Sequence, residues 1–179
     1  MNVMGISGMP GSGKSIISDI AAERGAIIVS MGDIIREESK KRGESSKETA
    51  KNLRKEFGEY IVSELTIKKI KKIQEEGVEN TIVVEGIRSL PEVEMFKENF
   101  DNFIILSIFA NPKLRFERLK IRQREDDSDD YNVFKERDYT ELKFGIGSVI
   151  SLSDKLIINE SDMESCIEEI NNYFDEINL

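Results

Sequence analysis

Gly8-Met9-Pro10-Gly11-Ser12-Gly13-Lys14-Ser15 satisfies every fixed position of G-x-x-x-x-G-K-[ST], a pattern that dictates its own surroundings. Its glycines permit a tight loop whose backbone N–H groups converge on phosphate oxygens. A helix opening at the loop's end adds the partial positive charge of its N-terminus. The motif therefore demands a buried strand before it and an amphipathic helix after it. Val3 to Ser7 supplies the apolar strand. Ile16, Ile17, Ile20 and Ala21 share one helical face, and Gly25 is placed to end that helix. A chance match in such a chain is on the order of 1%, so a nucleoside triphosphate is the expected ligand. Gly8, Met9, Pro10, Gly11, Ser12 and Gly13 would wrap the phosphates. Lys14 would reach the β- and γ-phosphates, and Ser15 would offer its hydroxyl to Mg2+.

Beyond the loop, short apolar runs alternate with helical patterns. Ala26 to Val29, Thr81 to Glu85, Phe103 to Phe109 and Lys155 to Ile158 are nearly continuous in apolar residues, as parallel strands covered on both faces should be. Ser45–Glu48, Ser89–Glu92 and Ser161–Glu164 have capping-box spacing, and Pro91 fits the first turn of its helix. Met163, Cys166, Ile167, Ile170, Phe174 and Ile177 form the apolar stripe of a last helix, which makes Cys166 a core residue. The expected fold is α/β, with a five-stranded parallel sheet in one domain. Residues 33–77 hold two or three helices and no strand.

Composition removes several function classes. A chain of 179 residues with no histidine and one cysteine can hold no internal disulfide, and a zinc site is not expected. Its net charge of -9 opposes general nucleic-acid binding. The basic runs Lys40-Lys41-Arg42 and Lys68-Lys69-Ile70-Lys71-Lys72 read as solvated helix faces. No run is long and apolar enough for a bilayer, and no basic segment precedes an apolar one at the N-terminus. A cytoplasmic protein with small-molecule nucleotides as partners is expected, its oligomeric state open.

The acceptor side resembles adenylate kinase and the other nucleoside monophosphate kinases. Val29-Ser30-Met31-Gly32-Asp33-Ile34-Ile35-Arg36 is similar to that family's S-T-G-D-x-[LM]-R segment, and Val84-Glu85-Gly86-Ile87-Arg88-Ser89-Leu90-Pro91-Glu92 to its D-G-F-P-R-T-x-x-Q segment. The resemblance implies a three-layer P-loop fold with sheet order 2-3-1-4-5. It implies a helical acceptor-binding insertion at 33–77 and a lid at 118–140. Arg36 and Arg88 would grip the acceptor's phosphate, with Asp33, Glu85 and Gly86 beside it. Each arginine also follows a strand's C-terminal end, where such sheets bind ligands, and a guanidinium fork suits a dianion; a surface ion pair is the plain alternative. Glu85 would hold Mg2+ or its waters. Asp33 either joins that shell or caps a helix.

Arg118 and Arg122, four residues apart on a helix that begins at Asn111-Pro112, correspond to the family's paired lid arginines; Arg137 corresponds to another. Asp126 to Asp130 reads as a solvated lid tip. Ala110-Asn111-Pro112 and Leu152 to Asn159 also resemble dephospho-CoA kinase, in which the terminal asparagine lies beside the donor adenine. Arg124 to Gly147 carries the R-x-D-D…F-x-x-R-D…G-x-G pattern of archaeal adenylate-kinase-related proteins of uncertain substrate.

Met31 and Glu92 depart from adenylate kinase, which has threonine and glutamine there. Glu92 either reads an acceptor base, as an acceptor-only group, or completes the capping box with Ser89. The expected function is transfer of the ATP γ-phosphate to a nucleoside monophosphate or similar small phosphorylated acceptor. Alternatives are a dephospho-CoA kinase-like enzyme and a regulatory or RNA-associated ATPase without a small-molecule acceptor. Asn159-Glu160-Ser161-Asp162 resembles the guanine motif of small GTPases superficially, with glutamate in place of its lysine.

Overall fold

The structure is a computed structural model that describes residues 2–123 and 127–179; Arg124 and Asp126, in the lid pattern, lie outside them. A five-stranded parallel sheet runs in the order β2-β3-β1-β4-β5, as expected. Its strands are β1 (Val3–Ser7), β2 (Ile27–Ser30), β3 (Ile82–Glu85), β4 (Phe103–Phe109) and β5 (Lys155–Ile158). The helices among the described residues are α1 (Lys14–Glu23), α2 (Met31–Arg42), α3 (Ser46–Phe57), α4 (Ile61–Glu75), α5 (Leu90–Asn99), α6 (Pro112–Arg122), α7 (Tyr131–Phe144), α8 (Ile146–Ser151) and α9 (Met163–Glu176).

The continuous apolar strands serve two separate cores, because side chains alternate across a sheet. Val3, Val84, Ile82 and Ile105 face one layer, where Val62, Ile67, Ile70 and Phe96 from α4 and α5 meet them. Phe96 stacks on Phe103 at 5.2 Å between centroids. Met4, Ile6, Val83, Leu106, Ile108 and Ile157 face the other layer, against Ile17 of α1 and Cys166, Ile170 and Phe174 of α9. Cys166 is core, and burial raises its thiol pKa.

Three helices fill 33–77 after α2 starts at Met31, two residues early, capped by Ser30. Asp33 is thus not the cap: its backbone N–H donates to Ser30 Oγ at 3.3 Å. The last helix begins one residue later than its spacing suggested, with Asp162 as cap. The basic runs carry carboxylate partners: Lys41 with Glu38, Arg42 with Glu56, Lys69 with Glu37. No helix among the described residues is long and apolar enough to cross a membrane.

Candidate functional site

The loop leaves β1, at the centre of the sheet, and enters α1 at Lys14. Two side chains from neighbouring elements fix its shape from outside. Arg115 of α6, 3% exposed, donates to Pro10 O at 3.1 Å. Asn159, at the end of β5, donates from Nδ2 to Ser12 O at 2.9 Å. In a trans peptide the C=O and the next N–H point opposite ways. Anchoring those two carbonyls outward therefore turns the Gly11 and Gly13 N–H groups into the concavity. Gly13 needs φ 112°, and a Cβ there would collide with Asn159 Nδ2.

Lys14 arches back over the loop, its Nζ donating to Gly8 O at 2.6 Å and Met9 O at 3.2 Å. Burial lowers its pKa from 10.5 to about 8, with Glu141 opposing that shift and Arg88 adding to it. Ser15 beside it is exposed. Glu85, ending β3, accepts a short hydrogen bond from Ser18 Oγ.

Two cavities flank the loop. One, of about 320 Å³, is lined by Gly11, Gly13, Ser15, Glu85, Arg118 and Asn159. The other, of about 180 Å³, is lined by Gly8, Pro10, Gly86, Arg88, Arg137 and Glu141. Lys14 and Arg122 belong to both. A larger groove of about 1020 Å³, between α2, α4 and α5, includes none of the loop residues.

Arg118 Nη2 donates to Asn159 O at 3.0 Å, while its buried Nη1 has no hydrogen-bond partner among the described residues. Arg122 holds Asp127 through two bonds of 2.8 and 2.7 Å, and Arg137 reaches the same carboxylate at 3.1 Å. The Asp127 side chain is 2% exposed, so this part of the acidic run is no solvated tip. It is the counter-charge that draws two arginines together across the chain's return. Asp130 caps α7 through the Asn132 N–H.

Arg88 lines the smaller cavity and pairs with Glu141, Nε to Oε2, at 3.1 Å. Arg36 does not join it: exposed on α2, it pairs with Asp33 one turn earlier, Nε to Oδ1 at 2.8 Å. The start of α2 nevertheless abuts the site, since a Cβ on Gly86 would sit 3.2 Å from Met31 Cβ. Glu92 accepts from the Arg88 and Ser89 N–H groups at 2.7 and 3.0 Å, and from Ser63 Oγ at 3.2 Å. Its carboxylate is engaged at the helix start, where it completes the capping box with Ser89. The Asn159-to-Asp162 segment is spent likewise, with Glu160 on the Asn111 N–H and Asp162 capping α9.

Sequence reasoning passed over Ser18 and Glu141. Glu141 lies four residues after Arg137, on the same helical face, and that spacing was the available signal.

Oxygen donors for Mg2+ are present in Ser15 and Glu85. No cluster of three or more metal-ligating side chains occurs among the described residues. The donor set fits an ion held largely by phosphate oxygens and water, as magnesium is.

Residues 7–135 match the family described as AAA domain. A UPF0200 protein of Methanothermobacter thermautotrophicus is 48% identical over 89% of this chain and 82% of its own length. One from Methanocaldococcus jannaschii is 43% identical over 99% of this chain and 91% of its own. The crystal structure of shikimate kinase from Bacteroides thetaiotaomicron superposes with a TM-score of 0.61 at 14% identity, covering 99% of both chains.

Proposed function

The chain belongs to the AAA-domain family and to the archaeal UPF0200 proteins, on a P-loop kinase-like fold; from that premise we propose that it moves the γ-phosphoryl group of ATP to a small acceptor carrying a phosphate. The observation that supports this reading is the pair of cavities meeting at Lys14 and Arg122. Hydrolysis for a partner's benefit needs a donor cavity alone. Phosphoryl transfer needs a second compartment, because its catalysis is mostly positioning and charge.

In this reading the loop and Lys14 cradle the triphosphate, and Arg118 with Asn159 lines the nucleoside side. Ser15 and Glu85 hold Mg2+, which supplies neutralisation of phosphate charge. Arg88 grips the acceptor's phosphate beside Gly86. Asp33 and Arg36, on the insertion at 33–77, would engage that compartment on closure, α2 starting at Met31 beside Gly86. Residues 118–140 act as the lid, whose Arg122 and Arg137 stabilise transferring charge and help to exclude water.

The test is incubation with magnesium, γ-labelled ATP and a panel of nucleoside monophosphates, dephospho-CoA or no acceptor, with products identified by mass. A labelled organic product is expected to form far faster than free phosphate and to vanish in Lys14→Ala. Free phosphate alone, at a rate indifferent to every acceptor, would contradict the reading.

A further inference from the structure

Glu141 has no part in the roles above, yet it lines the acceptor cavity, its carboxylate paired there with Arg88. It projects from α7 one turn beyond Arg137, and its side chain is 12% exposed. The other charged residues lining that cavity, among those described, are Lys14, Arg88, Arg122 and Arg137. Of the charges acting on Lys14, that of Glu141 is the strongest. One acid is therefore set among four cations, at the point where the acceptor must meet the γ-phosphoryl group.

Such a group is costly for one kind of acceptor and useful for another. A phosphate nucleophile, with a second pKa of about 6, is already ionised at neutral pH. It needs no base, and a carboxylate in its compartment repels it. An alcohol is different: its proton must leave as its oxygen attacks phosphorus, and a carboxylate at hydrogen-bond distance takes that proton.

We propose that Glu141 is the proton acceptor for an alcohol hydroxyl, so that the substrate is a phosphorylated alcohol modified on a carbon-bound oxygen rather than on its existing phosphate. The proposal rests on the phosphotransferase reading and narrows its substrate class. A bond forms between the hydroxyl oxygen and the γ-phosphorus. The bond from that phosphorus to the β–γ bridging oxygen breaks, its electron pair leaving with ADP. The hydroxyl proton passes to Glu141 and returns to solvent when product leaves. Arg88 serves twice: it anchors the acceptor's phosphate, and its contact with Oε2 at 3.1 Å orients the carboxylate.

Phosphorus NMR tests this on acceptors that offer both nucleophiles in one molecule: nucleoside 5′-monophosphates, sugar phosphates and dephospho-CoA, each with magnesium and ATP. A new phosphate monoester is expected, and Glu141→Gln should slow its formation by ~10²- to 10⁴-fold. The thermal unfolding midpoint of the same variant should stay close to that of the unaltered chain, which shows that the fold survives. An anhydride product would overturn the assignment of Glu141 while leaving the phosphotransferase intact. Monoester formed as fast by Glu141→Gln would overturn it too. Free phosphate alone in every arm would remove the parent reading, and this one with it.

Discussion

Lys14 donates to the loop's own carbonyls and is largely buried, so its charge is held less firmly than in an ordinary lysine. Between its lowered pKa of about 8 and the ordinary 10.5 it is mostly neutral in the folded, nucleotide-free chain. The unfolded chain keeps the proton there, so this group's contribution to stability rises with pH across that window. Phosphate oxygens favour the charged form, so ATP binding should draw in a proton at about pH 9 and almost none at about pH 7. Calorimetry in buffers of different ionisation enthalpy measures this; no uptake at the higher pH would contradict it. Gly13 carries a steric prediction. Gly13→Ala forces a side chain into a left-handed position, at about 1–3 kcal/mol, and drives its Cβ into the amide that anchors Ser12 O. Thermal shift with and without ATP should show a lower midpoint and most of the ATP-induced rise lost. Glu92→Gln, by contrast, weakens a helix start by about 1 kcal/mol and should leave acceptor preference unchanged; an altered preference would return Glu92 to the site.

The element hardest to foresee was α7. Only Phe134 is buried along it, while Tyr131, Val133, Tyr139 and Leu142 are exposed. It lacks the apolar stripe that announces a helix, because polar contacts hold it down instead. Arg115 of α6 grips Asp138 through bonds of 2.8 and 2.5 Å and lies over the Phe134 ring at 5.1 Å. Asp127 ties Arg122 of α6 to Arg137 of α7. The F-x-x-R-D part of the lid pattern is therefore a docking device, with Gly145 at φ 102° ending the helix. Sequence shows the charges of such a device but not their burial, which is why Asp127 reads as a solvated tip. Arg115→Ala should destabilise the chain by about 3–5 kcal/mol, since it strands a buried carboxylate; a change below about 1 kcal/mol in urea unfolding would contradict the bracing role. Asp127→Asn should expose α7 amides to hydrogen exchange while the sheet keeps its protection.

At the scale of the molecule, one strand order decides where chemistry can occur. With β1 between β3 and β4, the loop, Glu85, Arg88 and Asn159 all gather at the C-terminal edge of the sheet, where such folds bind ligands. That much was legible, because continuous apolar strands and a phosphate loop are local signals. The two-cavity arrangement was not, since it depends on which side chains of α6 and α7 come to line the space beside Lys14. Transfer between those cavities is the claim on which the functional reading stands. The most direct measurement is to supply γ-labelled ATP, magnesium and a small-molecule filtrate of Methanothermobacter thermautotrophicus, whose UPF0200 protein is 48% identical, and to ask where the label goes. Most of it should enter one organic product, and none should do so with Lys14→Ala. Label appearing only as orthophosphate, at a rate the filtrate leaves unaltered, would mean that the second cavity receives no acceptor.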